Sequence, residues 1–180
     1  LIIQGAWSNG EPGMLFLDRI NADNKVTPAY GEMIATNPCG EQPLLGYESC
    51  NLGSINLSNF VKSSGSGDWQ NQIKWDKLNQ VVRMSVQFLD NVIDANDYSI
   101  PEIGQMTKAT RKIGLGVMGF ADLLVKLRVS YNSELAREIG NTIMASLFFL
   151  MMEACMFKPP FPTVQEKLMI SSLKSSQRST

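Results

Sequence analysis

Two long runs of apolar residues at helical spacing do most to limit what this chain can fold into. Within residues 76–96, Leu78, Val81, Val82, Phe88, Leu89, Val92 and Ile93 fall on one face of a 3.6-residue period, and Asp76 is placed to cap the helix they predict. Ser133 is placed to cap a second helix running to about Met156, with Leu135, Ile139, Ile143, Leu147 and Phe148 on its inner face. Over residues 143–152 this helix is apolar nearly all round, which predicts burial in a larger body, and Pro159-Pro160 stops it. Residues 30–36 read as a short strand, 50–61 as a strand or short irregular element, 113–120 as a strand or strand-turn, and 121–127 as a short helix. Long helices alternating with short strands predict an α/β fold.

The connections read as follows. Gly10-Glu11-Pro12-Gly13 is a turn leading into the apolar stretch 14–20, and residues 21–24 read as polar loop. Residues 37–50 are rich in Pro, Gly and polar side chains with no helical period, which predicts an ordered loop. Ser63-Ser64-Gly65-Ser66-Gly67-Asp68 has the composition of an exposed, flexible loop. Ile100-Pro101 closes the first helical region.

Composition narrows the chemistry. The 180 residues suit one domain or a piece of a larger one, and the 44% apolar and 18% charged content is that of a globular chain. Lys plus Arg number 16 against 17 acidic residues, so neither a basic nucleic-acid surface nor an acidic tail is expected. Histidine is absent. That excludes Ser-His-Asp and Cys-His nucleophile pairs, His-ligated zinc and imidazole bases from these residues, and leaves proton chemistry to carboxylates, thiols, Lys or Tyr. The three cysteines, Cys39, Cys50 and Cys155, are too few for a disulfide scaffold and none pair at C-x-x-C spacing, so no metal site is expected. The start lacks Met and a basic leader, which suggests an internal fragment, and the apolar run 143–152 is about half of the ~20 residues that span a bilayer. The expected setting is a reducing cytoplasm without a membrane.

Asn37-Pro38-Cys39-Gly40-Glu41 is the most informative stretch. On extended backbone residues i, i+2 and i+4 share a side, so Asn37, Cys39 and Glu41 are expected to project together: a thiol between an amide and a carboxylate. Pro38 favours an extended Asn37, and Gly40 lets backbone pass close to a ligand. A carboxylate two residues from a thiol raises its pKa, which disfavours a thiolate nucleophile and suits hydrogen-atom chemistry better. A loop cysteine packed under a turn is the alternative for Cys39, and a buried strand-end thiol the alternative for Cys50.

The longer string Asn37-Pro38-Cys39-Gly40-Glu41-Gln42-Pro43-Leu44-Leu45, followed by Tyr47-Glu48-Ser49-Cys50-Asn51-Leu52-Gly53-Ser54-Ile55-Asn56-Leu57, resembles the finger-loop region of the ribonucleotide reductase large chain, most closely the adenosylcobalamin-dependent (class II) enzymes. Phe16-Leu17-Asp18-Arg19-Ile20-Asn21, Leu89-Asp90-Asn91-Val92-Ile93-Asp94 and the run from Arg111 to Leu124 resemble the same family, and the likeness covers roughly residues 1–155.

The resemblance implies part of a ten-stranded α/β barrel with the finger loop, here 37–50, threaded through it. It implies a partial catalytic barrel domain over 1–155 and a divergent, disordered tail over 156–180. Cys39 would become a thiyl radical and take the ribose 3′ hydrogen; Glu41 would act as base on the 3′ hydroxyl; Asn37 would hydrogen-bond the ribose hydroxyls or the developing ketone. The stretch Asn37, Pro38, Cys39, Gly40 and Glu41 would bind the substrate. Cys50 would be one member of the redox pair that reduces the 2′ carbon, its partner lying upstream of this segment. A radical must be shielded from solvent, so the loop tip is expected inside a closed barrel. Adenosylcobalamin is the implied cofactor, a ribonucleotide (a diphosphate rather than a triphosphate) the substrate, a thioredoxin-like or dithiol reductant the partner, and a homodimer the full-length state.

Other signals are weaker. Gly114-Leu115-Gly116-Val117-Met118-Gly119 satisfies G-x-G-x-x-G, but Thr110-Arg111-Lys112 is a poor buried strand before it, so a tightly packed strand is expected in place of a dinucleotide site. Met144, Met151, Met152 and Met156 read as core filler, Trp69 and Trp75 as local packing, and Lys108, Arg111 and Lys112 as a solvated helix end in preference to a phosphate site. Gly46 and Ser99 stand where the family usually has proline. A non-catalytic remnant or interaction module, or a dinucleotide-binding module, are the alternatives of another class.

Overall fold

The computed structural model describes residues 1–24, 28–62 and 67–156. In chain order these form α1 (Ile2–Asn9), α2 (Leu17–Asp23), β1 (Ala35–Thr36), β2 (Pro43–Leu44), β3 (Asn51–Asn56), α3 (Trp69–Gln72), α4 (Trp75–Ala95), α5 (Pro101–Thr110), β4 (Ile113–Met118), α6 (Phe120–Leu127) and α7 (Glu134–Met156), with single 3-10 turns at Pro28–Tyr30 and Leu57–Phe60. The mixed content fits an α/β fold. The strands form two two-stranded sheets, and among the described residues no closed barrel is present. The chain divides into two compact units: Leu1–Cys50 with Asp97–Lys112, and Asn51–Asn96 with the residues from Ile113 onward.

In the second unit β3 and β4 run parallel, in register from Asn51 opposite Ile113 to Asn56 opposite Met118. Parallel neighbours need a long crossover, and α4 lies within that connection and packs on both strands and on α7. The core gathers Ile55 and Leu57, Leu78 and Val82 of α4, Leu123 and Leu124 of α6, and Ile139 and Ile143 of α7. Trp69 is buried in the same cluster and Trp75 packs against it, as the sequence predicts. Ser133 caps α7, its Oγ accepting the Ala136 N–H at 3.1 Å. By length and apolar composition α7 also meets the requirement for a membrane span, a requirement that packed core helices share. One row, Ala136, Ile139, Ile143, Leu147 and Leu150, is buried in the core, while Met144, Phe148, Phe149 and Met152 are exposed.

Several expectations change here. Lys74, not Asp76, precedes α4, and Asp76 sits in the first turn, where its charge faces the positive end of the helix dipole. Phe88, Leu135 and Phe148 are exposed; Val86, Ala136 and Leu150 take the buried places. Met144, Met152 and Met156 are exposed as well, so they do not fill this core. Gly114 and Gly116 lie inside β4, so no glycine-rich loop opens toward a phosphate, and Gly119 stands between strand and helix with φ 68°.

In the first unit residues 21–23 continue α2 and are not loop. Asn21 locks that helix to the following segment: its Nδ2 donates to the Met33 carbonyl at 2.9 Å and its Oδ1 accepts the Met33 N–H at 2.8 Å. The strand expected over 30–36 shrinks to β1. Pro101 starts a helix, α5, at the position where proline costs nothing because its N–H would be unpaired. Of the loop expected over 63–68, residues 63–66 lie outside the described residues, as do the stop at Pro159-Pro160 and the tail beyond 156, while Asp68 caps α3 by accepting the Gln70 N–H at 3.3 Å.

Candidate active site

Residues 37–42 are the tip of an antiparallel hairpin, with Ala35 opposite Leu44 and Thr36 opposite Pro43. The Asn37 N–H donates to the Gln42 carbonyl at 3.2 Å, and the Gly40 N–H donates back to the Asn37 carbonyl at 3.0 Å, which makes Asn37-Pro38-Cys39-Gly40 a β-turn. Asn first, Pro second and Gly fourth is the composition such a turn favours, and Gly40 follows with φ 83°, a left-handed geometry suited to glycine. The extended reading of this stretch is therefore corrected. Cys39 occupies the third turn position, and Asn37, Cys39 and Glu41 are not successive residues of one strand face.

The tip is built by its own polar groups. Asn37 Oδ1 accepts the Gln42 N–H at 2.9 Å, and Thr36 Oγ1 donates to the Asn37 carbonyl at 3.0 Å. With Oδ1 accepting the Gln42 N–H, any donation by the Asn37 side chain falls to its Nδ2. Cys39 and Glu41 are exposed, and Pro38 and Gly40 with them. The closed chamber expected around Cys39 is not formed by the described residues.

Cys50 has a different setting. It is half-buried, and burial pushes its thiol above the ordinary value; the Lys112 charge pulls it down and the Glu48 charge pushes it up. Glu48 is buried, and its Oε2 accepts the Leu45 N–H at 2.9 Å and the Lys112 ammonium at 2.7 Å. The Glu48 N–H donates to the Leu45 carbonyl at 3.2 Å across a turn in which Tyr47 takes φ 61°. Gly46 lies in this same turn. Ser49 and Thr107 hydroxyls meet at 2.8 Å, tying the segment before Cys50 to α5.

Glu48 and Lys112 escape sequence reasoning. Lys112 reads there as part of a solvated helix end, yet it is mostly buried against Glu48. Its partner lies 64 positions away, so no local spacing reveals the pair. Cys155, on α7, is exposed.

A fold of mixed helices and short strands thus carries one thiol at a hairpin apex and a second two residues beyond a buried glutamate that is paired with a lysine. The family model for the ribonucleotide reductase barrel domain matches residues 1–157, and the chain belongs to that family. A vitamin B12-dependent ribonucleoside-diphosphate reductase of Thermoplasma acidophilum is 52% identical over 144 residues, covering 80% of this chain and 18% of the relative. One of the same description from Mycobacterium tuberculosis (strain CDC 1551 / Oshkosh) is 49% identical over 143 residues, covering 79% of this chain and 20% of the relative. A vitamin B12-dependent ribonucleotide reductase of Streptomyces coelicolor is 31% identical over 140 residues, covering 78% and 14%. The chain thus spans a fifth or less of the length of these relatives.

Proposed function

We propose that this chain is the radical-bearing segment of an adenosylcobalamin-dependent ribonucleoside-diphosphate reductase. The observation that carries the reading is Cys39 at the exposed apex of a self-braced hairpin tip, with Asn37 and Glu41 in the same tip, in a chain of this family. The Cys39 thiyl takes the 3′ hydrogen of the ribose, leaving S–H and a carbon radical. The Glu41 carboxylate takes the 3′ hydroxyl proton, Asn37 Nδ2 donates to the developing ketone oxygen, and the 2′ hydroxyl departs as water with a proton from the redox thiol pair. Cys50 and its partner thiol supply two electrons and become a disulfide, and Cys39 then returns hydrogen to the 3′ carbon. A thioredoxin-like or other dithiol reductant reopens the disulfide. The enclosing ten-stranded barrel is assigned to the remaining length of a family-sized chain, acting in the cytoplasm as a homodimer, with residues 1–155 as a partial barrel domain and 37–50 as its finger loop.

Adenosylcobalamin supplies the initial radical when bound. The described residues do not compose a cobalt site: the chain lacks histidine, and no group of three His, Cys, Asp or Glu gathers among them. No residue of this chain is assigned to the cofactor.

The test is made in a family-length enzyme carrying this segment. Cys39→Ala abolishes deoxyribonucleotide formation, whereas Cys50→Ser keeps radical formation and loses multiple turnovers. Undiminished turnover in Cys39→Ala contradicts the proposal.

A further inference from the structure

The Glu48–Lys112 pair is an unusual thing to bury beside a thiol. The Glu48 side chain is 0% exposed and the Lys112 side chain 16%. Lys112 Nζ also donates to the Pro43 carbonyl at 3.2 Å, so the ammonium is pinned from two sides. Glu48 Oε2 takes both the Lys112 and Leu45 donors, while its other oxygen, Oε1, is buried with no hydrogen-bond partner among the described residues. A buried acceptor without a partner costs stability, and a buried ion pair is often no more stabilising than apolar packing, so the arrangement calls for a reason other than stability. Cys50 lies two residues beyond Glu48. Cys50 and Lys112 also immediately precede Asn51 and Ile113, the first register pair of the parallel ladder.

We propose that Lys112, held in place by Glu48, is a positioning residue for Cys50 that opposes the negative charge on its sulfur when Cys50 leaves a disulfide. This rests on the reading of Cys50 as a redox thiol. The thiolate of an external dithiol attacks the sulfur of the partner cysteine; a new S–S bond forms there, the old one breaks, and Cys50 departs with the electron pair. A half-buried thiolate is poorly solvated, and a fixed ammonium supplies what water does not. The sulfur then takes a proton from solvent. The charges acting on Cys50 are of opposite sign: Lys112 favours the thiolate and Glu48 disfavours it, against a background of burial that favours the thiol. Glu48 therefore restrains Lys112 and keeps Cys50 protonated while it serves as a reductant.

The experiment is the pH profile of Cys50 alkylation by iodoacetamide in a family-length enzyme carrying this segment, read peptide by peptide by mass spectrometry. Lys112→Met is expected to move the Cys50 midpoint upward, slowing alkylation at fixed pH by about tenfold. Lys112→Arg restores it, and Glu48→Gln moves it downward. A Lys112→Met profile that coincides with the parent, with unchanged circular dichroism, overturns the assignment. If Lys112→Met loses its fold, Lys112→Gln decides: an upward shift supports the assignment, and an unchanged or downward one overturns it. The readout needs no turnover. A parent enzyme that failed to reduce ribonucleotides would leave these shifts in place, and an active enzyme with flat profiles would remove only the role of Lys112.

Discussion

At the scale of residues, the two thiols stand in different settings. Cys39 is exposed on a turn whose hydrogen bonds run through Asn37, and Cys50 is half-buried beside opposed charges. The raised Cys50 thiol has a consequence for stability. A group that keeps its proton longer in the folded state than in the unfolded chain stabilises fully below the ordinary thiol value of 9.0, and that contribution is lost as pH rises through the folded value. The urea midpoint of the parent chain is therefore expected to fall more steeply above about pH 9 than that of Cys50→Ser; parallel slopes would contradict it. The strings around both cysteines were legible in the sequence as those of the family. Their geometry was less so. Pro38 favours an extended Asn37, yet Asn, Pro and Gly at turn positions, with an Asn37 oxygen that binds the Gln42 N–H, favour a turn. Hydrogen bonding between residues five apart decided the matter.

At the scale of elements, helices were the most legible part. The structure runs α4 over Trp75–Ala95 and begins α7 after Ser133, each close to the boundaries their apolar period and cap imply. Which side faces in was harder to see. A helix apolar nearly all round has no clear centre to its stripe, so Leu135 and Phe148 were placed inside where Ala136 and Leu150 are. Ile139→Ala should then cost about 2–5 kcal/mol in denaturant unfolding, because its side chain is fully buried, while Phe148→Ala, 68% exposed, should cost within about 0.5 kcal/mol. Comparable losses at both positions would contradict the packing. α5 went unread because Pro101 signals a helix start as well as a stop. Gly119 was legible as a packing glycine, though its reason was not: a Cβ there would lie 2.2 Å from Asn56 Oδ1, which accepts the Ser58 N–H, and φ is 68°. Gly119→Ala is expected to destabilise the second unit by about 1–3 kcal/mol or more, measured by urea unfolding.

At the scale of the whole molecule, the α/β character was legible and the closed barrel was not. Among the described residues, four short strands in two pairs leave little for a sheet to close upon. One side of α7 carries Met144, Phe148, Phe149 and Met152 exposed, an apolar surface of the kind that marks interaction sites. The chain spans a fifth or less of its relatives' length, so activity belongs to a family-length protein. Hydrogen abstraction by Cys39 is tested most directly there, with a ribonucleoside diphosphate carrying deuterium at the 3′ carbon. The expected result is deoxyribonucleotide formed more slowly from the deuterated than the protiated substrate by the parent enzyme, and none from either by Cys39→Ala; product formed by Cys39→Ala at the parent rate would contradict it.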